Sequence, residues 1–83
     1  MASREEELIR AVDAAIAGDW EAAHNIAQRH EGDAAADWLH AVLHKIEGDH
    51  SNSRYWYRRT SHSHGEFIDS NAELAAIRAL LTK

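Results

Sequence analysis

The chain has no cysteine and no proline, and only four glycines among its 83 residues. Without cysteine there is neither a disulfide framework nor a thiolate metal site, and nothing in the residue usage speaks for an oxidising compartment. Without proline, and with glycine so sparse, no segment is forced out of helical geometry except at those few glycines. Alternation of apolar and polar residues with period two never lasts long enough to make a strand. The longest apolar runs are far too short to span a bilayer, and the opening MASREEELIR is acidic and amphipathic rather than basic and then apolar. The expectation is a single all-α domain over 1–83, cytoplasmic and without membrane contact. A net charge of -5 argues against a nucleic-acid partner, although seven histidines shift that balance as pH falls through their titration range.

What the chain does have is concentrated between Trp38 and Arg59, WLHAVLHKIEGDHSNSRYWYRR, with two tryptophans and both tyrosines around one Gly-Asp break. Trp38, Leu39, Val42, Leu43 and Ile46 recur at helical spacing, and Ser53, Trp56, Tyr57 and Thr60 share one face of the helix that follows. Arg54, Tyr55, Arg58 and Arg59 then point elsewhere. Gly-Asp occurs at Gly18-Asp19, Gly32-Asp33 and Gly48-Asp49. Each pair combines a residue that can close a helix in the left-handed conformation with one that can cap the next.

Ser3 and Glu6 have capping-box spacing, so a first helix runs from Arg4 to Ala17 and buries Leu8, Val12, Ala15 and Ile16. A second, Trp20 to about Arg29, turns Trp20, Ala23, Ile26 and Ala27 inward. Two hairpins result, 4–30 and 33–60, followed by a polar loop over 61–69 and a last helix over 70–82. Ser70 and Glu73 repeat the capping-box spacing, Phe67 and Ile68 are placed to staple the helix entry, and Leu74, Ile77, Leu80 and Leu81 form its apolar stripe.

Aligning the two hairpins on their central Gly-Asp sets Ala11 on Ala41, Ala23 on Ser53 and Ala27 on Tyr57. In this pattern GDWEAA and GDHSNSRYWYRR resemble the second helix of tetratricopeptide-like repeats, with Ala23 and Ser53 at the small crossing position and Tyr57 at the aromatic one. Ala11 and Ala41 match the small position of each first helix. The repeat is shorter than the family's, and the closing proline is absent. The resemblance covers roughly residues 4 to 60 and implies an α-α superhelix that binds protein or peptide in the groove between the first helices of successive hairpins. With only two repeats, the last helix or a second copy of the chain has to shield the exposed side. A monomer and a homodimer are both compatible with that requirement.

Two groups of polar residues bear on chemistry. Opposite the apolar side of the third helix, Asp37, His40, His44 and Glu47 form a strip. Read plainly, it is a solvated face or the lining of a peptide groove. Its alternative is a divalent-metal or metal-dependent hydrolytic site on His40 and His44, with a third ligand from His50, His62 or His64 and with Asp37 or Glu47 in support. Arg54, Tyr55, Arg58 and Arg59 are the second group, in a segment from Ser51 to Gly65 that contains no acid. It suits a phosphate, an acidic peptide or a stacked base, unless the arginines pair with Glu66, Asp69 and Glu73 and Tyr55 packs on the last helix. No serine, glutamate or histidine falls in a catalytic motif, and no cofactor motif is present. The leading expectation is a non-enzymatic interaction module whose partner-contact surface is drawn from these eight residues.

Overall fold

The computed structural model describes residues 2–83. Five helices follow in order: α1 Arg4–Ile16, α2 Trp20–Arg29, α3 Ala34–Ile46, α4 His50–Tyr57 and α5 Ser70–Leu81. The described residues contain no strand, and no helix is long and apolar enough to cross a membrane.

Each Gly-Asp pair does what its chemistry allows. Gly18, Gly32 and Gly48 have φ between +87 and +97°, the left-handed region that ends a helix cleanly. Asp19, Asp33 and Asp49 then accept from the backbone N–H of Ala22, Ala36 and Asn52, and so cap α2, α3 and α4. The Ser3–Glu6 capping box opens α1 as the spacing requires.

α1 packs against α2 and α3 against α4, which gives the two expected hairpins. Small residues sit where helices meet closely: Ala11, Ala23, Ala41 and Ser53 are fully buried, and the Ser53 hydroxyl donates to the Ala41 carbonyl at 2.7 Å. α3 is the axis of the molecule, in contact with all four other helices, and everything from Ala35 to His44 is buried. α5 lies on α1 and α3, the first helices of the hairpins. The last helix therefore covers the face shared by the two first helices, where the resemblance implies a peptide groove.

The start of α5 also differs from its sequence reading. Asp69, not Ser70, is the cap, and it accepts from the Asn71 N–H. Glu73 turns inward and is fully buried, with Trp38 Nε1 at 2.8 Å, Tyr57 Oη at 2.6 Å and Lys45 Nζ at 2.6 Å. A carboxylate can be buried only with such partners. Burial first, and then Glu73, push the Tyr57 hydroxyl well above the ordinary tyrosine range. Phe67 packs against the core as a staple should, whereas Ile68 points wholly into solvent. Ile16, Ile46 and Leu80, expected inside, lie at the ends of their stripes and stay partly exposed. α4 stops at Tyr57, short of Thr60, and the Thr60 hydroxyl donates back to the Tyr57 carbonyl at 2.8 Å.

Candidate metal centre

Asp37, His40 and His44 retain only 4, 4 and 7% of their accessibility. The strip expected on a solvated face of α3 is thus interior, because α2 and α4 close over it. Asp37 Oδ1 accepts from the Gly32 N–H at 3.0 Å and holds the α2–α3 turn, so its role is structural. Only Glu47, the C-cap of α3, stays exposed.

The third histidine comes from α2. His24 Nε2 lies 3.1 Å from His40 Nε2, and the His44 ring is centred 5.3 Å from His24 and 4.9 Å from His40. One ring nitrogen from each of the three lies within 4.8 Å of the others. Two imidazole nitrogens bound to one tetrahedral zinc at about 2.0–2.1 Å stand roughly 3.3 Å apart, so the 3.1 Å pair already has nearly the spacing of two ligands. His44 Nδ1 meets Glu47 Oε2 at 2.6 Å. With Nδ1–H given to the carboxylate, Nε2 keeps its lone pair for a ligand.

Aromatic rings fix the other two histidines. Trp20 stacks on His24 with centroids 4.6 Å apart, and its own Nε1 donates to the Leu43 carbonyl at 2.6 Å. Trp56 stacks on His40 at 3.8 Å, and the Arg59 guanidinium lies over the Trp56 ring at 4.8 Å. Rings clamped in this way lose little freedom when they bind an ion.

Burial first, then the neighbouring His24, His44 and Arg59, push His40 down to about 3. His24 is also lowered, by burial and then by His44. Both rings are therefore neutral near pH 7, the form that ligates a metal. His40 Nδ1 is buried with no hydrogen-bond partner among the described residues. An orphaned polar atom of this kind costs about 1–3 kcal/mol, and a leucine in its place would not incur that cost. A second, more exposed group, His44, Glu47 and Asp49, also lies within 4.8 Å and adjoins the first through His44.

The other sequence candidates are elsewhere. His50 Nδ1 is 2.9 Å from His64 Nε2, and His62 stacks on Trp38 at 3.6 Å with its Nδ1 3.0 Å from Glu66. None of the three is among the grouped ligand atoms around His40 and His44. Arg54, Tyr55, Arg58 and Arg59 are exposed, as the helical phase of α4 requires. Their expected partners are not the ones found: Arg59 faces Glu31 at 3.7 Å, Glu66 is taken by His62, and Glu73 by Lys45. Tyr55 sets its ring edge-on to Trp56, not on α5.

His24 escaped the sequence reading because it is alone on its helix. The available signal was Trp20-x-x-x-His24, an i,i+4 aromatic pair beside the inward Ala23 and Ala27. Three histidines from two adjacent helices, one of them backed by a carboxylate, form the more buried of two three-ligand groups among the described residues. No family model, curated protein or solved structure matches the chain.

Proposed function

We propose that this protein binds a divalent transition-metal ion through His24, His40 and His44, with Glu47 orienting His44 from outside the ligand shell. The observation that carries the reading is the pair of ring nitrogens 3.1 Å apart, held by stacked tryptophans in a site buried at His40 and half-buried at His24. Imidazole sets suit zinc, copper and nickel, and the absence of cysteine removes thiolate competition within the chain. Three protein ligands leave a fourth position for a water. Occupation by water would extend the reading to metal-dependent hydrolysis, since zinc lowers the pKa of its bound water to about 7.

Protein interaction through a tetratricopeptide-like groove is the weaker reading. α5 fills the place where that partner would sit, and Asp37, His40 and His44 are not at a surface. What remains for it is the outer face of α4, with Arg54, Tyr55, Arg58 and Arg59 exposed.

Zinc titration against a chromogenic chelator tests the metal reading. Wild type and His50→Ala should take up one equivalent, and His24→Ala should take it up at least tenfold more weakly. Equal uptake by His24→Ala and wild type, or none by either, refutes it.

A further inference from the structure

On the other edge of α4's buried stripe from the histidine cluster, Arg54, Tyr57 and Arg58 meet the loop residues His62, Ser63 and His64 around an open cavity of about 500 Å³. That size falls in the range of small-ligand pockets, about 300–1,000 Å³. No carboxylate lines it. Arg54 and Arg58 are one helical turn apart and, among the described residues, neither pairs with an acid. The nearby acids are committed: Glu66 to His62, and Glu73 to Lys45, Trp38 and the Tyr57 hydroxyl.

The loop is fixed rather than loose. Lys45 Nζ donates to the His64 carbonyl at 3.0 Å and to the Phe67 carbonyl at 3.3 Å, while His62 lies flat on Trp38. The His64 ring is tied to His50 through Nε2, which leaves Nδ1 for a ligand. Burial first, and after it the positive charges of Arg54 and Lys45, hold His64 below the usual imidazole range.

We propose that this cavity binds a phosphate monoester of a small molecule, its phosphoryl group on Arg54 and Arg58 and its organic part along the loop from Ser63 to Gly65. Two unpaired guanidinium groups match a dianion better than a single carboxylate. The cavity also has room beyond the phosphoryl group for an ester substituent. This site shares no residue with the histidine cluster, so the two proposals stand or fall separately.

Amide NMR titration of chelator-treated protein tests it, with ribose 5-phosphate, ribose, inorganic phosphate and a phosphoserine peptide as probes. Ribose 5-phosphate should give saturable shifts at Arg54, Arg58 and Ser63 to Gly65, ribose none, and inorganic phosphate weaker ones. The combined Arg54→Gln and Arg58→Gln variant, changed only at exposed positions, should keep its helicity and bind about tenfold more weakly or worse. Absence of saturable shifts, an unchanged affinity in the variant, or equal binding of inorganic phosphate overturns the proposal. Tighter binding of the peptide than of the sugar phosphate also overturns it, in favour of a macromolecular partner.

Discussion

Lys45 and Glu73 stand 28 positions apart in the chain, yet Nζ and Oε1 meet at 2.6 Å with the carboxylate fully buried. The same carboxylate takes Trp38 Nε1 and the Tyr57 hydroxyl, so it joins α3, α4 and α5 at one point. Glu73→Ala would leave an ammonium, an indole N–H and a phenol without their acceptor. The expected loss is about 3–5 kcal/mol, with a large fall in Tm for a domain of this size. Glu73→Gln, which keeps an acceptor, should lose less. An alanine variant melting within about 0.5 kcal/mol of wild type, as a neutral surface change would, contradicts this assignment.

Gly48 carries φ +87°, and a Cβ there would meet no atom within 4 Å. Gly48→Ala should therefore cost only the left-handed backbone penalty, about 1–2 kcal/mol. Gly48→Asn, whose side chain tolerates that region better, should cost less. Equal urea midpoints for wild type and the alanine variant would show that the turn relaxes.

These glycines, their capping aspartates and the division of α4 into a buried Ser53, Trp56, Tyr57 face and an exposed arginine face were legible in the sequence, because they depend on local geometry. The fate of the α3 polar strip was not. Helical phase shows which residues share a side, but not whether a neighbour covers it, and α3 is covered on every side. Glu73 misled for a related reason: its spacing from Ser70 imitates a capping box, while its true partners come from α3 and α4. His24 needed knowledge of which face of α2 meets α3, a tertiary fact.

In the proposed metal site, His40 trades stability for a ligand role. His40→Leu removes the orphaned Nδ1 and should raise the denaturant midpoint of the metal-free protein, by up to about 1–3 kcal/mol less the lost stack on Trp56 and the lost hydrogen bond to His24. It should also abolish zinc uptake. A destabilised leucine variant that still binds zinc would reverse both inferences.

Acid should weaken the metal-free fold through the same ring. His40 is held at about 3 in the folded protein against 6.5 ordinarily, so the unfolded chain binds the proton first. Its contribution is whole above about pH 6.5 and is lost progressively as pH falls toward about 3, by at most about 1.4 kcal/mol per pH unit. His24, lowered in the same direction, adds to the effect. Urea midpoints measured down to mildly acidic pH should fall in wild type and fall less steeply in His40→Leu. Parallel curves for the two proteins would place the acid sensitivity elsewhere.

X-ray absorption at the zinc edge of the one-equivalent complex counts imidazole ligands directly and so tests the three-histidine site. Three imidazole nitrogens at about 2.0–2.1 Å, falling to two in His24→Ala, are the predicted result. A shell of oxygen ligands, or a spectrum unchanged by loss of His24, would contradict the assignment of this cluster as a metal centre.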